Sequence, residues 1–576
     1  MSIFKLFRKK ERLIEPWNKY YREDELKKKI PNVSMYEAVR QSSIKYPSNV
    51  AYQYFNKKVT YKKFIKQIDR ASVSFKEVGI KKGDVVTLCM PNIPEVLICL
   101  YALNKIGAIA NMLHPLSSEV EIKESLISTN SVCLVLIDLM YSKIESFIDG
   151  IEVKDVILVS ASNSMNLIMK IGYKFTQFKN KRIKKSMKVI SYGKFIKKSS
   201  FKVAKTYINY GGDVAGVIIH SGGTSGTPKN VVIQNKSFAW GALQESISLV
   251  KLNSGDSCLA IMPNFHGFGL SVCMHTPLVL GCSTILIPTF DSKKFDILFN
   301  KYKPTCVLGV PTLFEALINC HNIENLDLSF LKYVVTGGDI LPKTLEDKIN
   351  EYLKLHGCKS KVVQGYGMSE ALAAVTLAHD DVNKSGSVGI PLIGNHIKII
   401  NPSTRERVPY GEIGEIVINS KGVMMGYLNN EKETNEALQI HKDGYVWLHT
   451  GDLGYMDSDG FLFYKGRLKR MIISSGYNVY PSHIEEIIEA HPAVLQCSVV
   501  GVPHPYKQEV PKAFIVLKRG FHGIFVKAEI KEYCKKNLAK YMVPYEFVYR
   551  KNLPKTKLGK VDFKTLQNDV GEDDDE

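Results

Sequence analysis

The sequence predicts an α/β protein with a large N-terminal domain of mixed, largely parallel sheets with helices, followed by a small C-terminal α+β domain. Two observations indicate this class. Apolar runs typical of strands alternate with helical patterns over most of the chain, and such alternation favours parallel sheets covered by helices. The chain also has 576 residues, enough for more than one domain and for a large buried core.

The N-terminal part supplies the first alternating elements. Residues 1–50 are predicted to be mostly helical, with an amphipathic helix over Met35–Lys45. A short hairpin turns at Asn56, and longer helices are predicted over Tyr61–Val78 and Pro94–Lys105. The strand candidates are Val50–Tyr54, Lys58–Thr60, Val85–Cys89, Ala108–Asn111, Val132–Asp138 and Asp155–Ser160.

The C-terminal part has the pattern of strands and helices that is typical of a smaller α+β unit. Strands are predicted over Val494–Val502 and Lys512–Leu517, and helices over Pro481–Ala490 and Lys527–Leu538. The acidic tail, Glu572–Glu576, is predicted to be disordered because like charges repel and no apolar side chain is available to bury.

The cysteine pattern predicts reduced, buried thiols in a cytoplasmic protein. Eleven cysteines are scattered without a C-x-x-C pair, several of them among apolar neighbours. This argues against a disulfide framework and against a zinc site. The basic N-terminus is not followed by an apolar region, so we expect no signal peptide. No apolar run approaches the ~20 residues of a membrane span, so we expect no transmembrane helix.

Positive charge is concentrated in one part of the chain. The net charge is +20, and no Asp or Glu occurs between Val156 and Gly212, where lysines are frequent. We interpret residues 160–205 as a basic insertion. Within it, Met165–Phe175 alternates apolar residues with lysines, as in a helix that lies on an anionic membrane. A solvated basic insertion is the alternative. No recognised motif favours a nucleic-acid partner.

A Gly- and hydroxyl-rich loop lies between two apolar strands at His220–Asn230, with the sequence H-S-G-G-T-S-G-T-P-K-N. Glycines let backbone N–H groups approach an anion, and hydroxyls and one lysine add donors and charge. These properties suit a polyphosphate. The usual P-loop pattern is absent because Lys229 lies between Pro228 and Asn230. An ordinary flexible surface loop is the alternative.

Further motifs follow in order along the chain. They are M-P-N-F-H-G-F-G (262–269), V-V-T-G-G-D-I (334–340), V-V-Q-G-Y-G-M-S-E (362–370), H-T-G-D-L-G (449–454), G-R-L-K-R (466–470) and L-P-K-T-K-L-G-K-V (553–561). Together with the loop, this series resembles the adenylate-forming superfamily, which includes acyl-CoA synthetases, peptide-synthetase adenylation domains and beetle luciferases. The resemblance implies the adenylate-forming fold.

The resemblance also implies an ATP and Mg²⁺ site. The usual family phosphate loop has glycine where this chain has Asn230. The family turn that matches residues 334–340 usually has a small neutral residue where this chain has Asp339. Ser369 would contact the α-phosphate, and Glu370 and Thr224 would bind Mg²⁺. The implied nucleotide-binding residues are Ser221, Gly222, Gly223, Thr224, Ser225, Gly226, Thr227, Lys229, Gly337, Gly338, Asp339, Gln364, Gly365, Tyr366, Gly367, Asp452 and Arg467.

Within this set the resemblance assigns individual roles. Tyr366 would stack on adenine, Asp452 would hold the ribose hydroxyls, and Arg467 would meet ribose and phosphate. Each motif also has a plainer interpretation. Ser369 can cap a turn with Glu370 in its first turn, and Asp452 can be an ordinary turn residue.

The catalytic and hinge residues are implied in the same way. His266 would shape the acyl pocket, and Lys560 would contact both the attacking carboxylate and the α-phosphate. Without its motif, Lys560 would be one lysine among many. Lys469 matches the family hinge, and Gly476 and Tyr477 would face CoA. We therefore place the boundary at this hinge, giving a large domain of residues 1–468 and a small, mobile domain of residues 469–576.

The predicted function is ATP-dependent activation of a carboxylic acid, a medium- or long-chain fatty acid, to acyl-AMP, followed by transfer to CoA. ATP, Mg²⁺ and CoA are the expected cofactors. Alternatives are an aryl-acid CoA ligase and a ligase that loads a separate carrier protein. A non-catalytic nucleotide-binding or membrane-scaffolding protein is a further alternative, but Lys229, Glu370 and Lys560 are all present. Nothing in the sequence points to a luciferase-type monooxygenase.

Overall fold

A computed structural model describes residues 15–165, 169–170, 189–199, 210–221, 229–248, 252–320, 326–379, 381–474, 477–555 and 561–569. The chain divides into two compact units. The larger comprises Met1–His396 and Ile418–Leu448, and the smaller comprises Ile397–Val417 and His449–Glu576. Residues 397–417 thus group with the C-terminal unit. The hinge boundary at Lys469 stays a prediction.

The strands of the first part of the chain are β1 (Val50–Tyr54), β2 (Lys57–Thr60), β3 (Val85–Cys89), β4 (Ile109–Leu113), β5 (Ser131–Ile137), β6 (Asp155–Val159), β7 (Val189–Ser191), β8 (Ala215–Ser221) and β9 (Lys229–Gln234). The middle part contains β10 (Ser257–Ala260), β11 (Ser283–Leu286), β12 (Cys306–Gly309), β13 (Tyr333–Gly337), β14 (Val362–Met368), β15 (Ala373–Leu377), β16 (Ile390–Pro391), β17 (His396–Ile400), β18 (Gly414–Asn419) and β19 (Gly426–Tyr427).

The remaining strands are β20 (Leu438–Ile440), β21 (Val446–Met456), β22 (Leu462–Arg467), β23 (Ile472–Ser474), β24 (Tyr477–Val479), β25 (Val494–His504), β26 (Gln508–Leu517) and β27 (Glu546–Tyr549). The α-helices are Glu23–Leu26, Met35–Lys45, Tyr61–Glu77, Pro94–Ile106, Glu119–Ser128, Tyr192–Lys197, Asn235–Ser248, Thr276–Val279, Phe295–Tyr302, Pro311–Ile318, Lys343–Leu355, Glu431–Ala437, Pro481–Glu489, Ile524–Asn537 and Phe563–Gln567. Short 3₁₀ turns lie at Pro16–Tyr20, Asp138–Lys143, Ile148–Gly150, Ser292–Lys294, Ser369–Ala371 and Leu468–Arg470, and a π-helix spans Phe268–His275.

Two sheets organise the large unit. Among the described residues, nine strands form one sheet in the order β16-β15-β14-β13-β12-β10-β11-β1-β2, and eight form another in the order β19-β9-β8-β4-β3-β5-β6-β7. The central pairs of both sheets are parallel, whereas β14–β15 and β8–β9 are antiparallel. The predicted mixed, largely parallel architecture is confirmed.

Local sequence signals explain several element bounds. The Ser34 side chain accepts a hydrogen bond from the Glu37 backbone and caps the helix Met35–Lys45. Pro94 begins the helix Pro94–Ile106, where its missing N–H costs nothing. Gly107 ends it with φ of 80°, a left-handed conformation that suits glycine.

The small unit contains an antiparallel β25–β26 hairpin, with β27 parallel to β26. Apolar side chains of the hairpin pack against its two longer helices, as seen for Val499, Ile515, Ile484 and Ile530. This is the predicted α+β unit. Its hairpin strands are longer than predicted. The prediction ended too early because the strand tips, near His504 and Gln508, are polar and carry no apolar alternation.

The basic insertion is only partly described. Most of the predicted helix Met165–Phe175 lies outside the described residues. Further along, Val189–Ser191 pairs in parallel with β6, and the following helix buries Phe195 edge-on against Phe75 at 4.8 Å between ring centroids. Part of the stretch thus belongs to a sheet and is not an appendage.

All eleven cysteines are buried free thiols, which confirms that part of the prediction. Burial raises the pKa of Cys89 to about 12, so the thiol stays protonated at neutral pH. Across the described ranges, no helix is both long enough and apolar enough to cross a membrane.

Candidate active site

Glu370 lies directly after the carboxyl end of β14, in the turn Ser369–Ala371. Its side chain is buried, and ligands of open α/β sheets gather at this end of the strands. The Tyr427 hydroxyl donates a hydrogen bond to Oε1 of Glu370 at 3.0 Å. The carboxylate is therefore held in a fixed orientation at the strand end.

Glycines bring the backbones around Glu370 unusually close. Gly337 of β13 pairs with Gly365 of β14, and a Cβ on Gly337 would be 3.0 Å from the Gly365 carbonyl oxygen. A Cβ on Gly367 would overlap the Ala373 carbonyl oxygen at 1.3 Å. Gly338 adopts φ of 80°, which favours glycine. Backbone packing and backbone conformation alone therefore favour glycine at these predicted adenine-side positions, whether or not a nucleotide is bound.

Three predicted adenine-side residues lie on or beside these strands. Tyr366 is buried, and its N–H donates to Thr376 Oγ1 at 3.3 Å. Gln364 is half-buried on the same strand. Asp339 is exposed, and its Oδ1 accepts from the Ile340 N–H at 3.0 Å. The structure therefore brings the two strand-end motifs together at one edge of the sheet.

Lys229 begins β9, opposite Ser221 at the end of β8. These two residues flank the predicted phosphate loop. Lys229 Nζ is 3.1 Å from Glu433 Oε2 and 4.7 Å from the centroid of the Tyr427 ring. The loop lysine and the candidate metal carboxylate, Glu370, are thus joined through one tyrosine.

His220 lies at the foot of the same loop. Its Nε2 is 2.8 Å from Asn111 Oδ1. Burial lowers the pKa of His220 to about 4, so the ring is neutral at physiological pH. Asn230, which occupies the position where glycine is usual, donates from Nδ2 to Ser128 Oγ at 3.2 Å.

His266 lies two residues before the π-helix Phe268–His275. A buried amide pair fixes this segment, because the Asn264 N–H donates to Asn92 Oδ1 at 3.1 Å. The His266 ring lies 4.7 Å from that of Phe265. A Cβ on Gly267 would be 3.3 Å from the Ala373 backbone nitrogen. The His266 motif therefore packs beside the residues that follow Glu370.

In the small unit, Asp452 and Arg467 are partners on the antiparallel strands β21 and β22. Arg467 Nε is 2.9 Å from Asp452 Oδ1, and the aspartate is almost fully buried. The Asp452 N–H also donates to Thr450 Oγ1 at 3.0 Å. Lys469 follows in the exposed part of a 3₁₀ turn.

Several predicted site residues lie outside the described residues. These are Gly222, Gly223, Thr224, Ser225, Gly226, Thr227, Gly476 and Lys560. Tyr477 begins β24, opposite Ser474. The roles predicted for these residues stay predictions.

Comparison with known proteins gives consistent matches. The "AMP-binding enzyme" family model matches residues 39–428, and the "AMP-binding enzyme C-terminal domain" model matches residues 483–560. The chain belongs to the AMP-binding enzyme family.

Relatives cover most of this AMP-binding enzyme. It is 31% identical to a long-chain-fatty-acid–CoA ligase of Bacillus subtilis, over 92% of this chain and 94% of the relative. It is 30% identical to a probable 4-coumarate–CoA ligase 1 of Dictyostelium discoideum, over 78% and 80%. The solved structure of ATP-bound MatB from Rhodopseudomonas palustris matches with a TM-score of 0.81, at 22% identity over 93% and 98%. That structure supports the fold.

These findings confirm the predicted family, fold and enzyme class. The protein is an AMP-forming acyl-CoA synthetase, a ligase whose family uses ATP, Mg²⁺ and CoA. The roles of individual residues stay predictions.

Glu370 fits a Mg²⁺ ligand in this AMP-binding enzyme. Mg²⁺ prefers oxygen ligands, and is usually bound by one or two carboxylates together with substrate phosphates and water. Glu370 supplies one buried carboxylate, oriented by Tyr427, in the same unit as the flanks of the phosphate loop. The donor set therefore agrees with the implied metal.

Tyr427 and Glu433 are contacts that the sequence motifs did not predict. Tyr427 lies 57 residues after Glu370, in a strand of two residues. So short a strand has no periodicity to detect, and a Gly-Tyr dipeptide alone is a weak signal. Only the fold brings these side chains to the site.

Proposed function

We propose that this AMP-binding enzyme activates a medium- or long-chain fatty acid with ATP and transfers the acyl group to CoA. One observation carries the assignment of the reaction centre. The buried carboxylate of Glu370 and the ammonium of Lys229 both contact Tyr427, beside the flanks of the Gly-rich loop. An acidic metal ligand and a phosphate-binding lysine are the two charges that adenylate formation requires at one place.

In the first half-reaction, the substrate carboxylate oxygen forms a bond to the α-phosphorus of ATP, and the bond to pyrophosphate breaks. Both reactants are anions, so fixed positive charge must offset their repulsion. We assign this role to Lys229 and Lys560, with Ser369 as a hydroxyl donor. Mg²⁺ held by Glu370 and Thr224 would supply further positive charge to the phosphates.

In the second half-reaction, the CoA thiolate forms a bond to the acyl carbon, and the bond to AMP breaks with AMP keeping the electron pair. AMP is a good leaving group. Lys560 is needed only in the first step, so a hinge at Lys469 would let the small domain exchange it for Gly476 and Tyr477. The exposed position of Lys469 within its 3₁₀ turn supports this assignment, because burial of its side chain does not oppose a change of its backbone angles.

We place nucleotide recognition on three further groups. Tyr366 and the glycines Gly337 and Gly338 would contact adenine, where the absence of side chains permits close approach of a flat ring. Asp452 would accept hydrogen bonds from the ribose hydroxyls, with Arg467 beside it. The 2.9 Å contact between these two charged groups supports a shared role.

The acyl group would lie beside His266. The segments Phe265–Phe268, Gly309–Phe314 and Gly365–Ala371 are mostly apolar or small, apart from Glu370 near the end of the last one. Such a surface suits an alkyl tail. An aryl acid is the alternative, and similarity to both a fatty-acid and a coumarate ligase keeps it open.

We propose CoA as the acceptor and the cytoplasm as the location. The buried thiols are what a reducing compartment favours. A separate carrier protein is the alternative acceptor. Peripheral contact with anionic membrane is proposed for the basic insertion on charge alone. Replacing Lys179, Lys181, Lys184 and Lys185 with glutamine would test it and leaves the paired strand Val189–Ser191 in place. Loss of sedimentation with anionic liposomes is expected while ATP binding persists. Unchanged sedimentation would remove the membrane proposal.

The deciding experiment measures pyrophosphate release with ATP and Mg²⁺ across saturated fatty acids of increasing length and a set of aryl acids, with and without CoA. We expect release that depends on a fatty acid and that turns over repeatedly only when CoA is present. Dependence on an aryl acid would move the substrate to that class. Release without CoA turnover would favour a carrier protein, and no release with any acid would contradict the proposal.

A further inference from the structure

We propose that Tyr427 is a positioning residue that holds the metal carboxylate and the loop lysine in register with each other. The inference rests on the proposed function, because it assigns Glu370 to Mg²⁺ and Lys229 to phosphate. It adds a residue outside every motif that led to that function. Both contacts come from one side chain: the hydroxyl bonds Glu370 at 3.0 Å, and the ring lies under Lys229 at 4.7 Å.

The backbone around Tyr427 joins the same two regions. Tyr427 pairs with Val231 across the antiparallel β9–β19 contact. The Leu428 N–H donates to the Asn230 carbonyl at 2.8 Å, and the Met424 N–H donates to the Glu370 carbonyl at 2.7 Å. Five consecutive residues, 424–428, therefore connect the turn that carries Glu370 to the strand that begins at Lys229.

The backbone of Tyr427 is itself fixed. Its N–H donates to Thr434 Oγ1 at 2.9 Å, and the side chain is buried. The preceding residue, Gly426, has φ of 148°, and a Cβ there would be 2.8 Å from Thr434 Cγ2. Glycine thus lets the helix Glu431–Ala437 approach closely enough for Thr434 to lock the strand. Because its backbone is fixed and its side chain is buried, Tyr427 can hold Glu370 and Lys229 in defined positions relative to each other.

The chemistry of the two contacts differs. A phenol that donates to a carboxylate fixes the directions of both carboxylate oxygens, which matters for a metal that demands near-ideal octahedral geometry. The face of the ring attracts the Lys229 ammonium through its quadrupole. Glu433 holds the same ammonium at 3.1 Å, and Asn430 Nδ2 donates to that glutamate oxygen at 3.0 Å. Removing the hydroxyl should therefore affect the metal, and removing the ring should affect the phosphates as well.

Two variants separate these contributions. Tyr427→Phe keeps the ring and loses the hydroxyl, whereas Tyr427→Leu loses both. Tyr36→Phe is the matched control, because the Tyr36 hydroxyl also donates to a carboxylate, that of Asp69 at 3.2 Å, elsewhere in the large unit. The measurements are calorimetric binding of ATP as a function of Mg²⁺ concentration, the melting temperature, and the Mg²⁺ dependence of pyrophosphate release.

For Tyr427→Phe we expect about a 10-fold increase in the Mg²⁺ concentration that gives half-maximal ATP binding. Losing one hydrogen bond to a charged group costs about the free energy that corresponds to a tenfold change in affinity. Binding at saturating Mg²⁺ should be close to wild type. For Tyr427→Leu, ATP binding should also weaken at saturating Mg²⁺. Tyr36→Phe should leave the Mg²⁺ dependence unchanged.

A wild-type Mg²⁺ dependence in Tyr427→Phe would overturn the proposal. Weakened ATP binding that is fully explained by a lowered melting temperature of the variant would also overturn it. An equal shift in Tyr36→Phe would also overturn it. Because ATP binding needs no acyl substrate, these outcomes are independent of the proposed reaction. Failure of the proposed function would instead appear as wild-type protein that binds ATP with Mg²⁺ but releases no pyrophosphate with any acid.

Discussion

Asp452 and Arg467 lie opposite each other on two antiparallel strands, and Nε of the arginine is 2.9 Å from Oδ1 of the aspartate. The two side chains are unequally exposed, at 2% for Asp452 and 42% for Arg467. A charge that loses its partner costs more free energy where water cannot reach it. The two halves of this pair should therefore differ in their effect on stability.

We predict that Arg467→Ala lowers the free energy of unfolding of the small unit by about 1–3 kcal/mol, because it removes the positive charge that lies beside a buried carboxylate. Asp452→Asn should cost less, since water can solvate the arginine that remains. Chemical denaturation at pH 7 measures both, with exposed Arg519→Ala as control. A larger loss for Asp452→Asn than for Arg467→Ala would contradict the assigned asymmetry.

Glu433 places a negative charge beside the loop lysine. We predict that Glu433→Gln lowers the KM for ATP about 2- to 3-fold at low ionic strength, because it removes a charge that competes with the polyphosphate for Lys229. The difference should shrink as salt is added. Glu436→Gln, on the exposed part of the same helix, is the control. An increased KM in Glu433→Gln would show that the glutamate assists ATP binding.

Lys560 is predicted to act in one half-reaction alone. Lys560→Ala should lower the rate of adenylate formation by about 10²–10³-fold, the range for losing one preorganised charge contact. Thioester formation from preformed acyl-AMP should remain largely intact. Single-turnover assays of each step measure the two effects, and exposed Lys564→Ala serves as control. Equal losses in both steps would contradict the assignment of Lys560 to adenylate formation alone.

His275 should make stability depend on pH. Burial lowers the pKa of His275 to about 3 from its usual 6.5, and its Nδ1 is 2.9 Å from the Tyr101 hydroxyl. The unfolded chain therefore binds a proton at a higher pH than the folded chain. The stabilisation is complete above pH 6.5 and is lost as pH falls from 6.5 towards 3.

The melting temperature measured from pH 8 to pH 4 tests this. We predict that His275→Gln shows a shallower decline between pH 6.5 and 4 than wild type does, because glutamine has no proton to bind. It should be less stable at pH 8, where a buried contact has been replaced. His522→Gln, at an exposed position, should follow the wild-type curve. Parallel curves for His275→Gln and wild type would contradict the linkage.

Elements with strong local signals could be predicted from the sequence. The helix Met35–Lys45 and the strand Val85–Cys89 have the predicted bounds, because a capping serine and a run of β-branched residues mark them. Pro94 and Gly107 mark the two ends of one helix in the same way. Glu370 could be named as a candidate because it follows a glycine-containing strand end and lies in a motif of the family, and its role stays a prediction.

Contacts between distant parts of the chain could not be predicted in this way. The segment Ile397–Val417 groups with the C-terminal unit, although nothing in its composition separates it from its neighbours. Tyr427 reaches Glu370 and Lys229 only because a two-residue strand pairs with β9. Such pairing is set by the whole sheet rather than by local propensity. Motifs therefore identified charged groups but not the side chain that connects them.

The short strand Gly426–Tyr427 also bears on the risk of aggregation during folding. It lies at one end of its sheet and covers β9, whose backbone groups would otherwise form an open edge. Open edges invite pairing with other chains and aggregation. During synthesis, β9 leaves the ribosome almost 200 residues before its cover. A chain that stops before Met424 would keep that edge exposed, so premature termination there should produce an aggregation-prone fragment rather than a partial enzyme.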